Sequence, residues 1–243
     1  MSQIDGQILF AQGNIEEAES NYDLALEFYN QAHSIFEQDK NIACCVQTKL
    51  KIGKVYNLQG SHQKTQLVFQ QALELTQKYN IYAFKSEVFF ELGSMHQSQG
   101  EYKKALQYYH QALQTAQELG DLFIEEKTLG NIGILNHLQG KYNDALEYYK
   151  KALSMAQNIG NKRRECSNLG NIGAIYRHFA QYKEALTYYN EALSLAQLIG
   201  NKKSAGINLS NIGNIYYCLG EYEEARHHYS RALDIARLIG RKK

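Results

Sequence analysis

The sequence predicts an all-α chain of antiparallel helix pairs, and three observations carry that prediction. Glycines at Gly53, Gly93, Gly133, Gly173 and Gly213 stand 40 residues apart, and seven residues on run Gly60, Gly100, Gly140 and Gly220, with Ala180 standing in once. The 243 residues include no proline, so only the turns themselves interrupt helix. Apolar residues recur at i, i+3, i+4 and i+7 on both sides of that second series, the period of a helix buried on one face.

In the fifth unit Leu169, Ile172, Gly173 and Tyr176 form one such face. Ala180-Gln181 makes the turn, and Tyr182, Ala185, Tyr189, Ala192 and Leu193 repeat the spacing on a second helix. That helix ends at Gly200, suited to a left-handed C-terminal residue, and Asn201 is placed to cap the next helix. Gly160-Asn161 and Gly120-Asp121 punctuate the chain in the same way. Connections of two or three residues force neighbouring helices to run antiparallel. The expected organisation is a single array over 1–243, with units near 1–40, 41–80, 81–120, 121–160, 161–200 and 201–243.

Small and aromatic residues keep the same beat. Alanines fall at Ala25, Ala105, Ala145, Ala185 and Ala225, with Thr65 in the second slot, and unbroken at Ala32, Ala72, Ala112, Ala152, Ala192 and Ala232. Aromatics stand at Tyr29, Phe69, Tyr109, Tyr149, Tyr189 and Tyr229. Small residues let two backbones approach where helices cross, and rings fill the gaps beside them. One hairpin cannot bury such a face alone, but stacked hairpins share a core. The first unit admits two registers. Residues 22–36 fit the common one, with a turn near Ser20-Asn21; Gly6 and Gly13, followed by Ile15 and Ala18, fit one slipped by seven, with a helix from about Ile15 to Glu37. The second unit is irregular: Lys49, His62 and Thr65 stand where other units are apolar or small.

Composition narrows the function classes. A net charge of +1 supplies no bulk field for nucleic acid. The opening residues are polar with a three-residue apolar run, unlike a signal peptide, and no run is long enough to insert in a membrane. Cys44, Cys45, Cys166 and Cys218 show no metal-finger spacing and suit a reducing, cytoplasmic setting. The glycines obey the repeat rather than a phosphate loop, and adjacent His227-His228 project about 100° apart on a helix, a poor metal pair. The expectation is no enzyme, no cofactor and no metal.

The run Leu209-x-x-Ile212-Gly213-x-x-Tyr216-x-x-x-Gly220-x-Tyr222-x-x-Ala225-x-x-x-Tyr229-x-x-Ala232 resembles the tetratricopeptide repeat signature. Five such units in one register cover roughly residues 41 to 240. The family repeat is usually about 34 residues and ends in proline; these are 40 long and lack it. At about 1.5 Å per residue the excess lengthens each helix pair by roughly 9 Å. The longer variant is similar to the arrays of kinesin light chains and Pins-type G-protein signalling modulators, and to bacterial peptide-sensing regulators. The resemblance implies a right-handed superhelical solenoid that binds a peptide or protein domain in its concave groove, without catalysis.

It also implies that first helices line the groove, with their core faces turned away. The opposite face carries Ser167, Gly170, Ala174, Arg177 and His178 in the fifth unit, and Lys127, Gly130, Ile134, His137 and Leu138 in the fourth. In the sixth it carries Ile207, Ser210, Asn214, Tyr217 and Cys218; in the third, Glu87, Phe90, Ser94, Gln97 and Ser98; in the second, Gln47, Leu50, Lys54, Asn57 and Leu58. This mixed face leans basic and suits a peptide or protein with apolar and acidic residues. Asn131, Asn171 and Asn211 sit on its flank, one per hairpin. Their amides either hold an extended peptide backbone or bond the neighbouring helix as part of the repeat. Lys162, Arg163 and Arg164, then Lys202 and Lys203, then Arg241, Lys242 and Lys243 make a basic edge, which either meets an acidic partner or is simply solvated. His96 and Asn136 replace the tyrosines of other units, and either mark a pocket or are bonded core groups.

The last helix, with Ala232, Leu233, Ile235, Ala236, Leu238 and Ile239, is as apolar as internal ones. Solenoid ends normally turn polar. The expectation is that another copy, a partner or further repeats cover it.

Overall fold

The computed structural model describes residues 3–240 and contains twelve α-helices and no strand among them. Arg241, Lys242 and Lys243, the last group of the basic edge, lie outside the described residues. Two compact units divide the chain, Met1–Glu125 and Glu126–Lys243. The first holds α1 (Gln3–Ala18), α2 (Tyr22–Gln38), α3 (Ile42–Leu58), α4 (His62–Lys78), α5 (Lys85–Ser98) and α6 (Tyr102–Leu119). Most of α7 (Leu122–Leu138) lies in the second, with α8 (Tyr142–Asn158), α9 (Lys162–His178), α10 (Tyr182–Leu198), α11 (Lys202–Cys218) and α12 (Tyr222–Gly240). Within the first unit each helix packs on the next along the chain from α1 to α6, and α3 also touches α5. In the second unit α8 to α12 pack in the same order, and α9 also touches α11.

The turns explain the regular helix lengths. Residues with φ between 54° and 79° recur every twenty positions from Ser20 to Gly220. At the fifth-unit turn Gln181 N donates to Tyr176 O at 2.9 Å and Ala180 N to Arg177 O at 3.0 Å, satisfying the last carbonyls of the helix. Ser20, Lys40, Asn80 and Ala180 hold this left-handed conformation without being glycine. A Cβ there costs about 1–2 kcal/mol, partly recovered in the unfolded chain. Ala180→Gly is therefore expected to raise stability by about 0.5–1 kcal/mol, read as a higher urea midpoint at unchanged slope.

Side-chain caps start four of the first helices. Asn41, Asp121, Asn161 and Asn201 each accept from the backbone N–H three residues on, at 3.1–3.2 Å. In the third unit Ile81 occupies that place and has no side chain to cap with. The chain there tightens into a 3-10 turn, Tyr82–Phe84, and α5 begins only at Lys85.

The first unit follows the common register. Residues 19–21 form the turn between α1 and α2, so the continuous helix from Ile15 to Glu37 that the slipped register requires is absent. Gly13 stands 40 residues before Gly53 and belongs to its series. A Cβ on it would lie 2.6 Å from the Tyr29 ring. Gly93, Gly133, Gly173 and Gly213 meet Tyr109, Tyr149, Tyr189 and Tyr229 in the same way, at 2.6–2.9 Å, and Gly53 meets Phe69 at 2.2 Å. Each hairpin thus closes by seating one ring on one bare backbone, and the ring is buried in every hairpin but the last, where Tyr229 is 37% exposed.

Candidate ligand-binding groove

Burial along the first helices tests the expected groove face. Ser167, His178, Ile207 and Tyr217 are exposed, and Ala174, Arg177, Ser94, Gln97, Lys54 and Lys127 are half-buried. Leu50 and Phe90 depart from the expectation: they are 2% and 3% exposed, and Phe90 packs on Tyr109 at 5.4 Å. Their slot faces the adjoining first helix, as Gly130 shows: a Cβ there would meet Arg164 Nη2 at 3.0 Å and Asn168 Oδ1 at 3.5 Å. The ligand-facing strip is accordingly narrower than the periodicity implies.

Much of the basic character is already neutralised. In the first unit Lys54 bridges Glu87 at 2.8 Å and Glu91 at 3.3 Å, and Lys51 bridges Glu17 at 3.0 Å. Burial weakens the Lys54 ammonium, but Glu91 and Glu87 more than offset it and hold its pKa above the usual lysine value. In the second unit Arg164 Nε donates to both oxygens of Glu126, at 2.9 and 3.2 Å, and Arg164 Nη2 to the Lys127 carbonyl at 3.3 Å. Asn168 Nδ2 donates to Glu126 Oε1 at 3.0 Å. Glu126, fully buried, is thus bonded from two side chains of α9. Lys162 pairs with Glu165 at 2.7 Å. Arg163, Lys202 and Lys203 remain on the edge with no acidic partner among the described residues.

Core tyrosines reach the groove from behind, and several candidate residues cap them. Tyr109 Oη donates to Gln97 Oε1 at 2.7 Å and Tyr229 Oη to Asn214 Oδ1 at 2.8 Å. Tyr29 Oη donates to Asn14 and Glu17, at 2.9 and 2.6 Å. The fourth and fifth units break this pattern, because Ile134 and Ala174 stand where Asn214 does. Burial pushes the Tyr189 phenol up, partly offset by the neighbouring Arg177 guanidinium. The guanidinium stands close enough to act on the hydroxyl, yet Tyr189 Oη and Arg177 Nε, both buried, complete no well-formed hydrogen bond. Arg177 has no acidic partner among the described residues, and neither Asn171 nor Asn211 has a side-chain hydrogen bond. Asn131 does have a partner within the chain. Arg177 and His178 lie about two turns along the helix from Asn171 and about one turn from Ala174.

Beside Arg177, His137 and His178 meet edge to face at 5.1 Å, and His178 stacks on Tyr142 at 4.5 Å. Burial, then His178 and Arg177, lower the His137 pKa; burial, then Arg177, lower that of His178. The unfolded chain therefore takes up protons first as pH falls, so stability is retained above the usual histidine value and lost as pH drops through 6.5 toward the folded values. His137→Phe should flatten the fall of melting temperature between about pH 7 and 5, and proton NMR titration should place both imidazoles below the free value.

The other singled-out groups are bonded core residues. His96 Nδ1 lies 2.6 Å from Glu101 Oε2 and its ring stacks on Tyr108, while Asn136 Nδ2 donates to Ile132 O at 3.0 Å. A polar cavity of about 750 Å³ does border His96. No cluster of three metal-ligating side chains occurs among the described residues, and no described helix is long and apolar enough to cross a membrane. Glu126, Asn168 and buried Asn208 were not picked out by periodicity. Their signal is polarity at slots where Val46 and Val88 stand.

The tetratricopeptide repeat profile matches residues 85–158 and 164–237, more than half of the chain. No curated protein sequence matches significantly. Among solved structures the chain is similar to BtubC (BKLC) from P. vanneervenii, at 18% identity and a TM-score of 0.76, over 91% of this chain and 90% of that one. It is also similar to a Rap protein complexed with competence and sporulation factor, at 18% identity and a TM-score of 0.67, over 100% and 78%. A third is the Rap conjugation gene regulator of plasmid pLS20 in complex with the Phr* peptide, at 16% identity and a TM-score of 0.70, over 98% and 75%.

Proposed function

The chain belongs to the tetratricopeptide repeat family, and from that premise we propose that it is a non-catalytic, cytoplasmic scaffold whose array binds a peptide or protein domain along the first helices. One observation carries the reading: on α9 and α11 the groove face holds polar groups that the chain itself leaves unused. The half-buried Arg177 guanidinium has no acidic partner, and the Asn171 and Asn211 amides have no side-chain partner, among the described residues. Unpaired buried polar groups cost roughly 1–3 kcal/mol each, and a ligand that bonds them removes that cost. Arg177 selects an acidic side chain or carboxylate, the asparagines take up a backbone, and Ile207 and Tyr217 offer apolar contact. One of the similar structures holds the Phr* peptide and another the competence and sporulation factor, and the first supports a peptide over a small cofactor.

The test is affinity capture by the intact chain and by two variants, Arg177→Ala and the combined Asn131→Ala, Asn171→Ala, Asn211→Ala. Both variants should lose captured ligand at unchanged helical content. Equal capture by all three would discard the asparagine ladder and the arginine anchor together.

A second role, self-association, is favoured by the apolar faces at the two ends. Leu233 is 50% exposed where Leu193 is 7%, and on α1 Ile8 and Ile15 are 52% and 57% exposed where their counterparts Val88 and Ile175 are buried. We propose that α1 of a second copy covers α11 and α12, as α11 covers α10. Sedimentation should then show concentration-dependent growth that Leu233→Glu abolishes. A monomer at every concentration would leave further repeats or another partner as the cover.

A further inference from the structure

We infer that the first unit carries a second binding site, between α2 and α4 with α3 as its floor, for a carboxylate attached to an apolar body. The site is separate from the groove and does not rest on it. At the slot of His33 the other hairpins carry Leu73, Leu113, Leu153, Leu193 and Leu233; at the slot of Lys49 they carry Leu9, Phe89, Leu129, Leu169 and Leu209. In the second unit Leu153, Leu169, Leu193 and Leu209 share one core cluster, so these slots meet where a second helix packs on the following first helix. In the first unit both partners of that apolar contact are replaced by ionisable residues, and a cavity of about 720 Å³ opens beside them. That volume lies within the range of small-ligand pockets. Two polar substitutions at one packing contact are unfavourable without a use, and such breaks in a repeat mark functional positions.

The chemistry of the lining selects the ligand. Lys49 Nζ donates one proton to Gln71 Oε1 at 2.8 Å and has two more to give. His33 Nε2 is buried without a hydrogen-bond partner. Burial, then the adjacent Lys49, lower the His33 pKa against the opposite pull of Glu37, which favours the neutral imidazole, and its Nε2–H tautomer would donate from this nitrogen. Lys40 and Lys78 at the lining are matched in number by Glu37 and Glu74. With Lys49, on which Glu37 acts, the lining carries one net positive charge, so a monoanion fits and a phosphate dianion does not. Ile42, Leu75 and Tyr79 supply the apolar wall. Cys45, whose thiol burial pushes up to about 11, is a wall rather than a nucleophile.

Calorimetric titration of the full chain tests this with 4-phenylbutyrate, its neutral amide, inorganic phosphate and a capped leucyl-glutamate dipeptide. Both carboxylates should bind, and the amide and phosphate should bind at least about tenfold more weakly, the size of one lost charge-assisted hydrogen bond. Tighter binding of the dipeptide than of phenylbutyrate would assign the natural ligand to a peptide side chain, and the reverse order to a free acid. Lys49→Met keeps the volume and should weaken both carboxylates by about tenfold while leaving the amide unchanged. His33→Leu with Lys49→Leu restores the repeat's own pair, should melt no lower than the wild type, and should bind neither. Absence of carboxylate binding to the intact chain, or undiminished binding by Lys49→Met, overturns the assignment.

Discussion

Gly53→Ala is expected to loosen the second hairpin by about 2–3 kcal/mol, although alanine is the better helix former by about 1 kcal/mol. Steric conflict outweighs propensity here. The new methyl would lie 2.2 Å from Phe69 Cε1 and 2.6 Å from Cδ1, against a ring that is wholly buried. Neither helix can yield freely, because α3 is also held by α2 and α5. A stack of hairpins does not unfold as one two-state body, so the measurement is local: amide exchange in α3 and α4 should accelerate far more than in the second unit. Phe69→Leu placed on the Gly53→Ala background should recover part of the loss, since it removes the atoms in conflict. Simple additivity of the two substitutions would show that glycine and ring do not form one contact.

That glycine–ring contact is also why so much of the fold was legible. A residue that must be glycine and a residue that must be an aromatic ring, recurring 40 positions apart, state both the helix pairing and its period. The turns were legible for a similar reason, since left-handed backbone selects glycine at Gly60, Gly100, Gly140, Gly160, Gly200 and Gly220. The first unit was ambiguous because Ser20 fills that turn and hides it, while Gly13, pressed on Tyr29, imitates a turn glycine seven residues after Gly6. The delayed start of α5 follows from a missing cap at Ile81, a local deficit that no periodic pattern reports.

The groove was less legible than the core, because periodicity gives the angle of a side chain but not its bonding. Lys54 and Arg164 read as free positive charge along the chain, yet each is spent on carboxylates of a neighbouring first helix. Asn214 and Gln97 read as ligand contacts, yet both cap a core tyrosine. Conversely, Arg177 gains its interest from Ala174, the residue that fails to cap Tyr189. Lys49 was visible as an irregularity, but only the cavity beside it and His33 gives that irregularity a chemistry.

Arg164→Ala should destabilise the second unit by about 3–5 kcal/mol, the cost of leaving a buried carboxylate without its countercharge. Glu126 is fully buried, and of the two side chains that donate to it only the Asn168 amide would remain after the substitution. The loss should appear as faster amide exchange in α7 and α9 together, because the guanidinium of one helix grips both the carboxylate and the Lys127 carbonyl of the other. Replacing the whole network with the apolar residues that other hairpins use, Glu126→Val, Arg164→Ile and Asn168→Val after Val46, Ile124 and Val88, should restore stability to the wild-type level or above it. Such a variant separates holding from binding. If the network serves only cohesion, the triple variant captures ligand as the wild type does. If it sets the spacing at which α7 and α9 present Asn131, Asn171 and Arg177, capture falls although the unit is no less stable. Buried ion pairs fix register more reliably than they add stability, so the second outcome is the expected one, and unchanged capture would refute it.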